Sequence, residues 1–282
     1  MLRPPTALPP PAGVPAGWYR DPYGYPLLRY YDGRRWTTHT SGILTPPRDV
    51  EAHPTLPLAV AVGAVVVLIA SLIASRYLLD GLAERGWPLL VLAAIGIVVG
   101  YGPSVWWCWF ASRRWGSGHL ARDVGLRFRW SDAGWGPLVW LAAFGCELAV
   151  LLVVQLAGIP LVGNTEGIGN VDADRAYVIA LLLTAVVAAP FVEELVFRGL
   201  MLRGLLSRIA VVPAVAVQAL LFGVAHIDPV RGSGNIGLAL VLGAVGVALG
   251  GATYLLRRLG PAIIGHALFN GVVLAIVLLV DP

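Results

Sequence analysis

From Leu56 onward the chain alternates long apolar runs with short polar breaks, and before that point its pattern differs in kind. A hydrocarbon core about 30 Å thick takes about 20 helical residues. Runs of that order predict seven spans: 56–75, 88–110, 136–160, 176–202, 209–227, 235–256 and 261–280, the third and fourth long and the fifth short. Residues 16–41, AGWYRDPYGYPLLRYYDGRRWTTHTS, are dense in aromatics instead. Leu27–Tyr31 and Trp36–Thr40 have β-type composition, and Asp32-Gly33 between them predicts a hairpin turn. A unit that small has no room for an ordinary core, so Trp18, Tyr30 and Trp36 are expected to hold it together. Residues 1–15 form a Pro-rich tail without an apolar run, which is not expected to act as a signal peptide. Residues 42–55 read as a polar linker. The expected organisation is thus a tail, a module at 16–41, a linker, three helices over 56–160 and a polar-marked membrane core over 176–280.

Composition narrows the class further. Hydrophobic residues make up 57% of the chain and charged residues 13%, about half the usual charged fraction, with a mean hydropathy of +0.77. That is too little polar surface for a soluble globule and too much apolar character for disorder. The fold class that follows is an all-α polytopic membrane protein with about seven transmembrane helices and a small β-rich N-terminal module.

All 20 basic residues are arginines. With the N-terminus inside, segments 1–55, 111–135, 198–208 and 257–260 carry 16 of them, leaving Arg76, Arg85, Arg175 and Arg231 outside. The positive-inside bias therefore predicts a multi-pass cell-membrane protein with a cytoplasmic N-terminus and an external C-terminus. A net charge of +4 gives no argument for nucleic acid, which is not expected as a partner. Cys108 and Cys146 sit in apolar runs and read as small hydrophobes, not a disulfide.

The ionisable residues inside the apolar runs carry the chemistry, because such groups are costly in a bilayer and usually functional. The fourth run holds Glu193, Glu194 and Arg198. Glu194 and Arg198 are one turn apart and can pair. One arginine neutralises one carboxylate, so Glu193 must look to other helices. Pro190 just before it loosens the backbone. The fifth run ends in LLFGVAHI, with Phe222 and His226 on one face; the seventh begins AIIGHALFNGVV, with His266 and Asn270 on one face. By helical rise Glu193 lies ~26 Å below the outer end of its helix and His266 ~9 Å above the inner surface, depths that agree. His226, ~27 Å up the returning helix, matches them only if the hairpin before it protrudes, with Arg203 and Arg208 in water. The residues at Asp228–Gly234 are then expected to dip below the outer surface. Trp106, Trp107 and Trp109 read as an interfacial belt.

EELVFR at 193–198, FGVAH at 222–226 and HALFN at 266–270 match EExxxR, FxxxH and HxxxN in that order on three apolar runs. This set resembles the CPBP family of intramembrane proteases, which includes type II CAAX prenyl endopeptidases and bacteriocin-immunity homologues, over roughly residues 176–280. The resemblance implies an endopeptidase acting on a membrane-embedded or lipid-anchored substrate. Glu193 and His226 would activate water, His266 and Asn270 would stabilise the oxyanion, and Glu194, Arg198 and Phe222 would support them. No cofactor is required by this scheme. A zinc ion on Glu193, His226 and His266 is the open alternative, although the HExxH arrangement is absent. Residues 16–41 resemble a short actinobacterial domain of unknown function with the pattern GWYxDPxG…RYWDGxxWT, here with Tyr31 where that family has Trp. That resemblance implies no chemistry, and the module's partner is unknown. Two other functions fit a buried Glu/His/Arg set: a proton-coupled transporter and a non-catalytic immunity or scaffold protein.

Overall fold

The computed structural model describes residues 14–23, 27–43, 56–163, 175–227 and 232–280. The Pro-rich tail before Val14, most of the linker and the segment 228–231 lie outside the described residues. The chain divides into two compact units, Met1–His53 and Pro54–Pro282.

The first unit is a three-stranded antiparallel sheet in the order β1-β2-β3, with β1 Gly17–Arg20, β2 Leu27–Tyr31 and β3 Trp36–Ile43. Strand β1, absent from the two-strand expectation, pairs Trp18 with Tyr30. Because neighbouring side chains on a strand face opposite ways, Tyr30 meets Trp18 while Tyr31 meets Tyr19 and Trp36. Tyr31 is the buried aromatic and Trp18 is exposed, so the expected trio needs correcting: Tyr31 is the central ring. Buried Asp21 supplies the polar pin, accepting from Arg29 Nε and Nη2 and from the Tyr23 amide. The hairpin is also wider than two residues. The Asp32 carboxylate accepts the Arg34 and Arg35 amides at 2.8 Å each, and Gly33 turns through φ +90°. An Asx-type turn of this kind competes with a tight hairpin by offering the backbone a side-chain acceptor.

The second unit is helical. Its elements are α1 Leu58–Ala83, α2 Leu89–Trp115, the short α3 Leu120–Val124, α4 Asp132–Leu156, α5 Arg175–Leu206, α6 Val211–Val224, α7 Gly234–Leu256 and α8 Gly260–Val280. Six are long and apolar enough to cross a membrane, and α6 is a shorter apolar helix. The seven expected runs therefore all form helices. The largest boundary error is at α1, which continues past residue 75 and takes Arg76 into the helix. Trp107 departs from the expected belt: its indole donates to the Val60 carbonyl at 3.0 Å and ties α2 to α1, whereas Trp106 and Trp109 stay exposed.

Three stretches wind with wider turns than an α-helix: Ile97–Tyr101 in α2, and Leu182–Ala188 and Glu194–Leu202 in α5. Wide turns of this kind mark functional sites in many helices, and the two in α5 flank Glu193. The buried core runs from Ala61, Ala64 and Leu68 of α1 to Leu195, Phe197 and Leu200 of α5 and Phe222 of α6. Helices α4 and α8 run side by side in the same direction, with Gly136 against Ile264 and Val139 against Gly265. Small residues let these backbones approach, as expected where lipid gives no hydrophobic drive.

Candidate active site

Helix α5 supplies the centre of the site. Glu194 and Arg198 are both fully buried, with Arg198 Nη1 donating to Glu194 Oε1 at 2.9 Å. The expected pair forms. The same Oε1 also receives Nδ1 of His266 from α8 at 2.9 Å, a contact that spacing gave no sign of. Arg198 Nη2 reaches the Gly246 carbonyl on α7. Glu194 therefore joins α5 to α8, and Arg198 joins α5 to α7.

Glu193 finds its partners on other helices, as expected. Its Oε2 lies 3.7 Å from Nε2 of His226 and 3.9 Å from Nε2 of His266. The ring tautomers follow from the far nitrogens. Nδ1 of His226 is 2.8 Å from the Phe222 carbonyl, which can only accept, so Nδ1 carries the proton. Nδ1 of His266 faces a carboxylate that already accepts from Arg198, so it donates too. In neutral rings both Nε2 atoms are then acceptors. Two imidazole lone pairs and a carboxylate oxygen converge on one region, an arrangement that calls for a proton donor between them.

Phe222 does more than fill space. Its ring lies 4.3 Å from the Arg198 guanidinium carbon, 4.7 Å from the His226 ring and 5.7 Å from the His266 ring. It thus keeps the arginine and both histidines apart while accepting the arginine's charge on its face.

Asn270 is placed by a chain of backbone consequences. In the widened stretch before Glu193 the Ala189 amide donates to Thr184. The next donor along would be residue 190, a proline with no N–H, so the Ala185 carbonyl has no helical partner. Asn270 Nδ2 fills that gap at 2.7 Å. One of its two amide protons is therefore spent on interhelical bonding and one remains.

A cavity of about 470 Å³ opens on this cluster, lined by Glu193, His226, His266 and Asn270 together with mostly apolar side chains. It is also lined by Tyr101 at the widened turn of α2 and Glu147 of α4, neither of which sequence reasoning singled out. Glu147 stands within an apolar run, and the cost of such a group in a bilayer was the signal available for it. Arg203, expected in water, is half-buried against Gly125 instead. A left-handed glycine there (φ +71°) leaves room for the guanidinium.

Two ligands of one tetrahedral zinc at about 2.0–2.1 Å lie ~3.3 Å apart, closer than the 3.7 and 3.9 Å found here. Among the described residues no group of three or more His, Cys, Asp or Glu is arranged to hold a metal.

Residues 175–272 match the family model for type II CAAX prenyl endopeptidases, Rce1-like, and residues 16–51 match that of a protein of unknown function, DUF2510. No curated protein and no solved structure matches the chain. The family match begins with α5, spans all three motifs and ends two residues past Asn270. Residues 175–272 are thus similar to type II CAAX prenyl endopeptidases of the Rce1-like kind, in a multi-pass membrane protein whose N-terminal module is similar to DUF2510.

Proposed function

We propose that the protein is an intramembrane endopeptidase that hydrolyses a peptide bond in a membrane-embedded or lipid-anchored substrate, with Glu193 as general base. The observation that carries this reading is the convergence of Glu193 Oε2 with the Nε2 atoms of His226 and His266 at the wall of an apolar cavity. A water held there can donate hydrogen bonds to Glu193 and to Nε2 of His226. Glu193 takes one proton as the resulting hydroxide bonds to the scissile carbonyl carbon, while the other O–H stays bonded to the oxygen and hydrogen-bonded to His226. His266 is held by Glu194 through Nδ1, which turns its Nε2 toward the side of the cavity where the oxyanion develops. The second Asn270 amide proton is the donor there. Glu193 then passes its proton to the leaving amine. No step in this scheme uses a metal.

The deciding experiment is cleavage of a membrane-tethered peptide by the purified full chain. Glu193→Gln is expected to lower the rate about 10²–10⁴-fold, and exhaustive chelation to leave it intact. Stoichiometric zinc that is lost together with activity in His226→Ala and His266→Ala would overturn the metal-free scheme. The arginine distribution supports a cytoplasmic N-terminus. A reporter inserted near Asp123 should accordingly read cytoplasmic and one fused after Pro282 extracytoplasmic, and a cytoplasmic C-terminus would refute this topology.

A further inference from the structure

Glu147 is the one cavity-lining carboxylate for which the proposed reaction has no use. It is half-buried inside α4, a span whose other acidic residue, Asp132, is paired with Arg258. Among the described residues Glu147 has neither an ion pair nor a hydrogen bond, and no arginine lines the cavity. The chain contains no lysine that could neutralise it. A carboxylate held without a cation in a membrane-spanning helix is expensive unless a ligand supplies the charge.

Its position along the cavity follows from the parallel packing of α4 on α8. Asp132 sits at the start of α4 beside Gly260 at the start of α8, Gly136 meets Ile264 at the same offset of 128 residues, and Val139 packs on the neighbouring Gly265. Continuing that register places Glu147 near the level of residue 275, nine residues beyond His266. At 1.5 Å per residue the separation along the helices is about 13 Å. Val273 and Leu274, which line the same cavity, agree with that level. An extended peptide advances about 3.3 Å per residue, so 13 Å spans about four residues.

We infer that Glu147 is a specificity-determining residue that binds a Lys or Arg side chain of the substrate, about four residues from the bond that is cut. This rests on the endopeptidase reading and adds to it a substrate class: an apolar segment carrying one basic residue at fixed distance from the scissile bond. The apolar wall between Glu147 and the catalytic cluster takes the intervening side chains. Charge-assisted hydrogen bonding to a desolvated carboxylate supplies the discrimination.

The test uses the purified full chain in phosphatidylcholine vesicles with single-span Leu/Ala peptides. Each peptide carries one Lys, Gln or Glu stepped along its length, and the cut positions are read by mass spectrometry. Lys peptides are expected to be cut about four residues from the Lys and at least tenfold faster than their Gln counterparts. Glu147→Gln should bring that ratio close to one, Glu147→Asp should retain it, and Glu147→Arg should favour the Glu peptides. A Lys-to-Gln ratio that Glu147→Gln leaves unchanged overturns the inference. Photo-crosslinking of the same peptides to the Glu193→Gln chain separates binding from hydrolysis. If Lys peptides are captured preferentially and through Glu147 while wild type cuts nothing, the binding assignment stands and the endopeptidase reading falls. Equal capture of Lys and Gln peptides refutes the binding assignment, whatever the cleavage.

Discussion

Two buried acid–arginine clusters lie in the membrane unit, and they are built on opposite terms. At the start of α4, Asp132 Oδ1 accepts Nε and Nη2 of Arg258, while its Oδ2 accepts the Arg129 amide. Arg258 Nη1 donates to the Leu256 carbonyl, so every arm of the pair is used. One acid meets one base, and the result clamps α4 to the turn between α7 and α8. The second cluster sets two acids, Glu193 and Glu194, against Arg198. It leaves Arg198 Nε and Glu194 Oε2 buried without partners. Buried polar groups are ordinarily satisfied, and each exception asks for a reason. The Asp132 cluster is finished as folded; among the described residues the Glu193 cluster keeps buried polar atoms without partners.

Stability and activity should separate along that line, and this is the largest effect expected. Breaking a buried pair by removing one charge typically costs about 3–5 kcal/mol. Both Asp132→Asn and Glu194→Gln should therefore lower the folded fraction, measured by thermal unfolding in detergent. The molecules of Asp132→Asn that do fold should cleave at close to the wild-type rate. Those of Glu194→Gln should not, because His266 loses the carboxylate that orients it. Glu193→Gln should unfold like wild type while cutting about 10²–10⁴-fold more slowly. Similar losses of stability in Glu193→Gln and Glu194→Gln would dissolve the distinction between the two clusters.

Much of this was legible in the sequence. All seven apolar runs form helices, and EELVFR, FGVAH and HALFN bring their polar residues to one cluster, because spacing on a helix fixes which side chains share a face. What spacing cannot give is which group on one helix meets which on another. The sharing of Glu194 between Arg198 and His266, the burial of Arg203 and the opening of Glu147 into the cavity all depend on helix tilt and on the wide turns of α5. The ring order in the N-terminal sheet was missed for a related reason: β1 decides which face of β2 is covered, and no apolar alternation marked β1.

Asn270 tests the middle ground, where a catalytic candidate also holds two helices together. Leaving the Ala185 carbonyl without its donor should cost about 1–3 kcal/mol in Asn270→Ala, and removal of an oxyanion donor should lower the cleavage rate as well. Pro190→Ala restores a backbone N–H at the position that left that carbonyl free. In the double variant, stability should recover in part while the rate does not. A rate that recovers with stability would reduce Asn270 to an interhelical tie, and a stability that does not recover would count against the role given to Pro190.

The smallest effect lies in the N-terminal sheet, where an acid works at the surface. Backbone amides of Arg35 and Arg34 donate to the Asp32 carboxylate and hold its pKa below the ordinary value of 3.8. A group whose pKa is lower folded than unfolded stabilises the fold above its unfolded pKa, and that contribution is lost as pH falls through the folded value. Asp32→Asn keeps an oxygen acceptor for both amides but removes the charge. Hydrogen exchange of residues 27–43 in the full chain, corrected for intrinsic rates, should show weaker protection in the variant than in wild type at pH 6. The gap should close as pH drops below 3.8, when wild-type Asp32 also becomes neutral. A gap that stays constant down to pH 2 would mean that the turn depends on the geometry of the acceptor and not on its charge. Asp32 would then resemble the satisfied Asp132 in its bonds without sharing its electrostatic role.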